Sequence, residues 1–420
     1  MRADLLVRNV GRLLTMSDGA VPRIGEEMRA TGEIAGGALA ASGGEIVAVG
    51  PERDVVDSVE LAPGGMELDA GGSLVTPGLV DPHTHAVFAR TRENEFAMRV
   101  AGRSYEEIAE AGGGIRSSVR AVREISEDGL VESGRRTLDA MLAYGTTTAE
   151  VKSGYGLSTQ SELKMLRAIR RLGGEHDVRL VPTFLGAHEF PDEWREDREG
   201  YVSLIVDEMI PAVASESLAA YCDVFCEEGV FTVEQSRRIL TAGRSAGLEP
   251  KLHADELHPY GAAELAAELG ARSADHLVRV SDEGVAALAR AGVAAVLLPG
   301  TSLSLGGTSY APARKLVEAG VPVALATDCN PGSSMTESMQ IVMALASMAM
   351  RMTPEEVLCA STVNAAWACG VEGVSGTLEP GRSCDLVIWD VQDPRAIPYH
   401  YGVNLVRQVV VGGRPVLGGS

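Results

Sequence analysis

Residues 248–300 read LEPKLHADELHPYGAAELAAELGARSADHLVRVSDEGVAALARAGVAAVLLPG. Three short apolar runs in this stretch, LEPKLHA, SADHLV and VAAVLLPG, are separated by two segments with helical periodicity, GAAELAAELG and DEGVAALARAG. Near-continuous apolar runs that each precede an amphipathic helix are typical of strands buried in a parallel sheet. The stretch therefore predicts repeated strand–helix units of an α/β fold.

The same alternation continues on both sides of this stretch. Five further apolar runs fit the pattern: SLVTPGLVD (73–81), TTTAEVK (146–152), VRLVPTFLG (178–186), CDVFCEE (222–228) and VPVALATD (321–328). Eight strand–helix units that close on themselves form a (β/α)8 barrel, and this is the predicted fold. A doubly wound open sheet is the alternative, but no GxGxxG segment follows a strand to support it.

The two ends of the chain have a different texture. Residues 1–75 and 376–420 contain short Val- and Ile-rich runs broken by glycine, such as GALAASGGEIVAVG near the start and VNLVRQVVVGGRPV near the end. Closely spaced turn residues between such runs are typical of short β-strands. We therefore predict a small β-sandwich domain built from both termini, beside a barrel over residues 76–375.

The chain is strongly acidic. Its 37 Lys and Arg residues against 58 Asp and Glu residues give a formal net charge of −21. Such a charge repels phosphate backbones and anionic lipids, so we expect no nucleic-acid or membrane partner. The start, MRADLLVRNVGRLL, lacks the pattern of a secretory signal, and the six cysteines form no CxxC pair. These features predict a cytoplasmic protein with reduced thiols.

The histidines are placed unevenly along the chain. Five of the eight lie at or just past the C-terminal end of a predicted strand: His83, His85, His188, His253 and His276. In barrel enzymes the loops after the strands converge at that face and build the active site. The positions therefore predict a histidine-rich site at one mouth of the barrel.

A metal site is the function that these positions indicate. His83 and His85 are two residues apart, so on an extended segment they project to the same face. His253 ends the fifth run and Asp328 ends the eighth. Three imidazoles and one carboxylate leave a position for water on a divalent ion, as in catalytic sites, and that water becomes a hydroxide nucleophile near neutral pH. Zn, Fe and Mn all suit these ligands.

Three residues near the predicted metal could act on the substrate. Asp328 could accept a proton from the water, and Glu256, three residues past His253, could carry one to the leaving nitrogen. His276, at the end of the sixth run, would either be a fourth imidazole ligand or stand off the metal and polarise a substrate carbonyl. We favour the second role, because a water and a substrate oxygen must also fit around the ion.

At these residues the chain resembles the amidohydrolase superfamily and, within it, the imidazolonepropionase family. The likeness covers nearly the whole length. General motifs are His83-Thr84-His85 and DCNPGS (328–333), and the other shared segments are RENEF (92–96), AGGGI (111–115), EVKSGYGL (150–157), GAH (186–188) and HADE (253–256). RENEF, KSGYGL and GAH are the most specific of these segments.

The resemblance implies a metal-dependent hydrolase. The expected reaction opens the cyclic amide of 4-imidazolone-5-propanoate to N-formimidoyl-L-glutamate, in histidine degradation, by attack of metal-bound hydroxide on the ring carbonyl. Binuclear members of this barrel class usually carry a carboxylated lysine on the fourth strand. CDVFCEE has no lysine, and Lys152, near the second run, is the wrong lysine for that role. One ion per subunit, Zn or Fe, is therefore expected.

The resemblance also assigns substrate contacts. Arg92 would hold the propionate with a bidentate fork, and Tyr155 and Asn330 would offer hydrogen bonds. His188 would contact the ring, while Gly332 and Ser333 would reach the tail or the product. Family members can carry Gln at position 256. Glu256 is therefore at least a substrate-orienting group, and whether it or Asp328 supplies the proton stays open.

Several alternatives remain at this point. A related amidohydrolase that acts on another cyclic amide or a nucleobase (a hydantoinase, dihydroorotase or deaminase) would share the metal residues. A barrel that only binds a metal or ligand is a second alternative, against which the open metal position argues. A homodimer is the family expectation, and the glycine-flanked loop around Tyr155 is a candidate lid.

Overall fold

The computed structural model describes residues 1–103, 107 and 112–417; Ala111, at the start of the AGGGI segment, and residues 418–420 lie outside them. Its strands, in chain order, are β1 Arg2–Leu14, β2 Glu33–Ser42, β3 Glu45–Pro51, β4 Glu60–Asp69, β5 Leu74–Pro77, β6 Leu79–Asp81, β7 Thr146–Lys152, β8 Arg179–Ala187, β9 Tyr221–Cys226, β10 Glu249–Ala254, β11 Ser273–His276, β12 Ala294–Leu297, β13 Val323–Leu325, β14 Leu386–Trp389, β15 Val406–Val411 and β16 Arg414–Leu417.

Helices connect most of the barrel strands. The α-helices are Glu52–Ser58, Glu93–Val100, Ile115–Glu124, Glu127–Ala143, Thr159–Glu175, Arg198–Leu204, Ile210–Ser215, Val233–Ser245, Ala262–Leu269, Asp282–Ala291, Pro299–Ser304, Ala313–Glu318, Met339–Met350, Pro354–Ala360, Val363–Ala368 and Ala396–Tyr399. Short 3-10 turns cover Gly25–Arg29 and Asp192–Trp194, and a π-turn covers Ile205–Met209. Within the described ranges, no helix combines the length and the apolar character needed to span a bilayer.

Strands β6 to β13 form the barrel sheet. They follow one another in chain order across the sheet, and each neighbouring pair is parallel. All seven residues of β7 and all four of β11 and of β12 are buried, as expected of strands in a parallel sheet, although β7 and β11 consist largely of polar and charged residues. The predicted (β/α)8 barrel is confirmed.

The barrel closes between its first and last strands, just past their C-terminal ends. Thr84 and Cys329 form a parallel bridge. The amide of His85 donates to the Cys329 carbonyl at 3.0 Å, and the amide of Asp328 donates to the His83 carbonyl at 3.1 Å. The closure therefore places the two nearby histidines directly beside the segment that carries Asp328.

One predicted strand is two strands in different sheets. The first half of SLVTPGLVD, β5, pairs with β1 and β14, whereas the second half, β6, pairs with β7. The chain passes between the sheets at Gly78, where a Cβ would lie 2.1 Å from Thr147 Oγ1. The prediction of one continuous strand was wrong, because an apolar run does not show which sheet each half joins.

Strands from both termini form a second sheet, in the order β16-β15-β14-β5-β1-β2-β3, with β4 also paired to β1. Strand β1, with 13 residues, is long enough to pair with β4 along its first half and with β5 near its end. The eight strands are thus one continuous hydrogen-bonded sheet with a buried apolar core of its own. The small β domain predicted from both termini is confirmed, while its limits at residues 75 and 376 stay a prediction.

Candidate metal centre and substrate pocket

Three buried histidines meet at the C-terminal mouth of the barrel. His83 and His85 follow β6, and His253 lies in β10. Their ligating nitrogens all lie within 4.8 Å of one another. The exposed fractions of the three residues are 0%, 2% and 3%. The structure therefore brings together all three imidazoles that were predicted as metal ligands.

Carboxylate groups pair with the Nδ1 atoms of two of these rings. His83 Nδ1 donates to Asp275 Oδ2 at 2.6 Å, and His253 Nδ1 lies 3.1 Å from Asp223 Oδ2. Because a carboxylate oxygen accepts, Nδ1 carries the proton and Nε2 is left with its lone pair. In the described part of the chain, Nε2 of both rings is buried without a hydrogen-bond partner. Orphaned lone pairs backed by carboxylates are typical of metal-binding histidines.

Asp328 lies beside the same cluster. Its Oδ1 is 3.5 Å from His83 Nε2 and 3.8 Å from His85 Nε2. Ligands about 2.1 Å from a tetrahedral zinc ion are about 3.4 Å apart, so this spacing fits a shared ion. Oδ2 accepts from the Thr301 hydroxyl at 2.5 Å, which orients the carboxylate. The four residues together fit one divalent ion.

The backbone is unusual where two strands end at the site. Asp328 has φ 52° and His276 has φ 74°. Residues with a side chain rarely adopt such left-handed conformations, which cost about 1–3 kcal/mol each and cluster at functional positions. The strain marks both residues as candidates for function.

Burial keeps most of the rings neutral. It is the main cause that lowers the pKa values of His83, His85 and His276 well below the usual 6.5. At His253 burial also lowers the pKa, but the charge of Asp223 and its hydrogen bond outweigh burial, so the net shift is upward. Neutral imidazole is the form that binds a metal, so the lowered pKa values favour a cation over protons.

Behind the histidines lies a network of buried charges that the sequence analysis missed. Lys152 Nζ lies 2.7 Å from Glu150 Oε1, 2.8 Å from Asp223 Oδ2 and 3.5 Å from Asp275 Oδ2. Lys251 Nζ lies 2.7 Å from Glu150 Oε2. Buried carboxylates persist only when they are paired, and the two lysines compensate these three. Charged residues inside otherwise apolar runs were the signal that could have revealed the network.

His276 lies next to the three histidines but is not in the group whose ligating nitrogens all lie within 4.8 Å of one another. Its ring centroid is 5.2 Å from that of His253 and 5.4 Å from that of His83. Its Nδ1 lies 3.6 Å from Glu256 Oε2, and its Nε2 is buried with no partner among the described residues. Whether His276 polarises the substrate carbonyl or is a fourth imidazole ligand stays a prediction.

Two carboxyl groups at the site hold their protons differently. Burial, and then the charge of Asp328, raises the pKa of Glu256 to about 8. Burial also raises the pKa of Asp328 to about 6, against the hydrogen bond from Thr301. At neutral pH Glu256 therefore keeps its proton and Asp328 does not, which is the split expected of an acid and a base.

A pocket of about 410 Å³ adjoins the cluster, and His85, His253, His276 and Asp328 form part of its wall. The substrate-binding residues predicted from the sequence all line it: Arg92, Tyr155, His188, Glu256, Asn330, Gly332 and Ser333. Residues that the prediction missed also line it, among them Glu95, Arg99 and Phe225. One space therefore joins the candidate metal residues to the candidate substrate residues.

Arg92 is already paired within the protein. Its Nε and Nη2 donate to Glu95 Oε2 at 2.9 and 2.6 Å. Its Nη1 faces Gly332, where an added Cβ would lie 2.4 Å from it. Arg99 Nη1 contacts the Gly332 carbonyl at 3.4 Å, so two guanidinium groups share this side of the pocket. A substrate carboxylate would meet this partly engaged pair and not the free fork expected from the sequence.

Asn330 uses its side-chain amide on its own loop. Oδ1 accepts from the amides of Gly332 and Ser333, both at 2.8 Å, and Nδ2 donates to the Asp328 carbonyl at 2.7 Å. Nδ2 also donates to Ser333 Oγ at 2.9 Å. The predicted hydrogen bond from Asn330 to substrate would therefore compete with bonds that shape the pocket wall.

Tyr155 and His188 form an aromatic wall beside His85. The rings of His188 and His85 are stacked, with centroids 5.0 Å apart and planes 12° apart. The Tyr155 ring lies 5.5 Å from each of them. Burial lowers the pKa of His188 to about 3, so this ring is neutral. A planar ligand ring would find an uncharged aromatic surface here.

Solved structures with the same fold contain barrels of several activities. An adenosine deaminase from Xanthomonas campestris with bound zinc matches with a TM-score of 0.73 and 20% identity, covering 99% of this chain and 93% of that one. A 5-methylcytosine deaminase from Klebsiella pneumoniae matches with a TM-score of 0.74 and 18% identity, covering 99% and 98%. At this identity the likeness concerns the fold alone.

Sequence comparison finds relatives of much higher identity. A family model described as the Amidohydrolase family matches residues 74–416. An imidazolonepropionase of Geobacillus kaustophilus is 52% identical over 416 residues, which cover 98% of each chain. One from Symbiobacterium thermophilum is 52% identical over 99% of this chain and 97% of its own, and one from Alkaliphilus metalliredigens is 48% identical over 99% of each. The chain therefore belongs to the amidohydrolase family, in the group formed by the imidazolonepropionases.

Proposed function

We propose that this chain hydrolyses the cyclic amide bond of 4-imidazolone-5-propanoate to N-formimidoyl-L-glutamate, a step of histidine degradation. The names of its full-length relatives support the activity. The observation that carries the proposal is that one pocket joins the histidine cluster to the guanidinium groups of Arg92 and Arg99. A substrate with a ring amide at one end and a propionate at the other suits both parts.

The residues that would hold one divalent ion, Zn or Fe, are His83, His85, His253 and Asp328. The orphaned Nε2 atoms of His83 and His253, and the Asp328 oxygen near Nε2 of both His83 and His85, support this set. When bound, such an ion supplies Lewis acidity, which lowers the pKa of water and polarises a carbonyl oxygen.

The proton-transfer roles follow from the two carboxyl groups. Asp328, ionised at neutral pH, would accept the proton of the attacking water. Glu256, which keeps its proton at neutral pH, would deliver one to the departing ring nitrogen. His276 is neutral, and its unpartnered Nε2 would carry the proton that hydrogen-bonds the ring carbonyl.

The remaining pocket residues would orient the substrate. Tyr155 and His188 would lie against the planar ring, while Arg92 Nη1 would bind the propionate near Gly332 and Ser333. We also propose that the protein acts as a homodimer in the cytoplasm, as the family resemblance implies. Its six cysteines are all free and buried, which suits a reducing compartment.

A substrate panel tests the proposal. Purified protein loaded with Zn or Fe is incubated with imidazolone propionate, dihydroorotate, hydantoin and guanine, and product formation is followed. We expect turnover of imidazolone propionate alone, with loss of activity after chelation. Preferred turnover of another member of the panel would reject the assignment in favour of a related amidohydrolase.

A variant at Arg92 tests how the substrate is held. Charge-assisted hydrogen bonds contribute about 1.5–3 kcal/mol, so Arg92→Ala should raise KM about 10- to 100-fold. Arg53→Ala, on an exposed helix of the terminal domain, is the matched control and should leave KM unchanged. Unchanged KM in Arg92→Ala would remove Arg92 from the binding site.

A further inference from the structure

One buried carboxylate, Glu162, holds the loop that carries Tyr155. Glu162 lies in the first turn of the helix that follows this loop and is fully buried. Its Oε1 accepts from the amides of Gly156 and Leu157 at 2.7 and 2.8 Å, and its Oε2 accepts from the amide of Gly154 at 3.0 Å. Amides on both sides of Tyr155 therefore bind a single side chain.

The same loop orients His188. The carbonyl of Gly154 lies 3.0 Å from His188 Nδ1. Since a carbonyl can only accept, Nδ1 carries the proton and Nε2 keeps the lone pair. Gly154 has φ +102°, and a Cβ there would lie 2.9 Å from His188 Nδ1 and 3.0 Å from the Leu185 carbonyl. Only glycine allows this approach.

The loop that carries Tyr155 is packed into the buried core. Tyr155 is only 3% exposed, and its ring lies 5.5 Å from His188 and from His85. Leu157, with φ 47°, adopts a left-handed conformation that the Glu162 bond to its amide helps to hold. Segments that open easily have exposed backbone hydrogen bonds and few buried contacts, which is the opposite of this loop.

We propose that Glu162 is a positioning residue for the proposed reaction: through the loop 153–157 it sets the place of Tyr155 and the tautomer of His188. The expected change in KM rests on the proposed function, whereas the anchoring of the loop by Glu162 does not. It follows that the aromatic wall is formed before substrate binds and that this loop does not act as a lid.

Replacing Glu162 by Gln removes one of the two accepting oxygens while keeping the size of the side chain. A glutamine has one accepting oxygen and one NH2 group, so at least one of the three amides would face a donor. The loop would shift, and His188 and Tyr155 would shift with it. Asp at the same position keeps the carboxylate but is one methylene shorter, so it should act in the same direction and preserves a negative side chain for folding.

The control is Glu356→Gln. Glu356 is also a buried glutamate that accepts from a backbone amide, that of Thr353 at 2.9 Å, and it pairs with Arg314; neither residue lines the pocket. Its loss should lower the melting temperature without changing KM. This control shows whether a loss of stability alone changes KM, or whether the change requires displacement of the Tyr155 loop.

The experiment measures kcat, KM, metal content and amide hydrogen exchange of the metal-loaded variants. For Glu162→Gln we expect KM to rise about 10- to 100-fold with a smaller change in kcat, because displacement of an orienting group by about 1 Å can cost up to about 100-fold. Metal content should stay at the wild-type value, and the amides of residues 154–157 should exchange faster than in wild type.

Failure of the proposed function and failure of the inference about Glu162 would give different results. Wild-type protein without activity on imidazolone propionate would reject the proposed function, while the exchange measurement would still test the anchoring. Active wild type combined with unchanged KM and unchanged exchange in both Glu162 variants would overturn the inference. Rapid exchange of the loop amides in the wild-type protein, compared with those of β8, would overturn it even if neither variant folds.

Discussion

Replacement of Asp275 by Asn tests whether the carboxylate behind His83 sets the metal affinity. Asn has nearly the same shape, so His83 Nδ1 can still donate, now to an amide oxygen. Ser273 Oγ, which donates to the other oxygen, Asp275 Oδ1, at 2.6 Å, would then face the amide NH2 group and accept from it. What disappears is the negative charge, which Lys152 also contacts.

The expected size follows from the hydrogen bond. At 2.6 Å the contact between His83 and Asp275 is as short as the strongest charge-assisted bonds. Bonds to charged groups contribute about 1.5–3 kcal/mol, and neutral bonds about 0.5–1.5 kcal/mol. The difference of about 1–1.5 kcal/mol corresponds to roughly tenfold weaker binding, at the lower end of the 10- to 100-fold range typical of such partners.

Competition with a coloured chelator at neutral pH would measure the Kd of apo protein for Zn²⁺. We expect the Kd of Asp275→Asn to rise about tenfold, and that of Glu356→Gln, whose carboxylate lies outside the site, to stay at the wild-type value. An identical Kd in wild type and Asp275→Asn would refute the reasoning. It would mean that ring orientation alone, without the charge behind it, determines the affinity.

Three further predictions follow from the site. His276→Ala should keep one metal per chain but lower kcat about 100-fold; loss of metal instead would make His276 a ligand. Because Glu256 has a pKa of about 8, wild-type kcat should fall as pH rises past that value. The Glu256→Gln variant, with kcat lowered about 100-fold or more, should not show this fall. If it does, the titrating group is a residue other than Glu256. Burial raises the pKa of Asp81 to about 7 from 3.8, so the folded state binds this proton more tightly and loses stability as pH rises from 4 to 7. Asp81→Asn should therefore gain in melting temperature relative to wild type between about pH 5 and pH 8, and parallel Tm curves would contradict this.

Local sequence patterns were sufficient for the architecture and for grouping the candidate metal residues. Strands with both faces buried are usually rich in apolar residues, and the helix that follows is apolar on one face, so the barrel units are visible along the chain. The site histidines were recognisable because the ends of parallel strands converge on one face. His83, His253 and Asp328 could thus be grouped before any coordinates were known.

Pairing between distant side chains was not visible in this way. Lys152 on β7 contacts Asp275 on β11, and nothing local in either strand indicates the other. Arg92 was expected to present a free fork, but Glu95 already binds it. In both cases the decisive quantity is a distance that exists only after the chain has closed on itself.

The alternation of strands and helices and the chemistry at the strand ends can be predicted from the amino-acid sequence, because both depend on burial and spacing along one segment. The folded chain is needed to see which sheet β5 joins, which carboxylates contact the histidines, and that Glu162 anchors the Tyr155 loop. These features depend on contacts across the barrel, where backbone closure brings together groups that no local pattern connects.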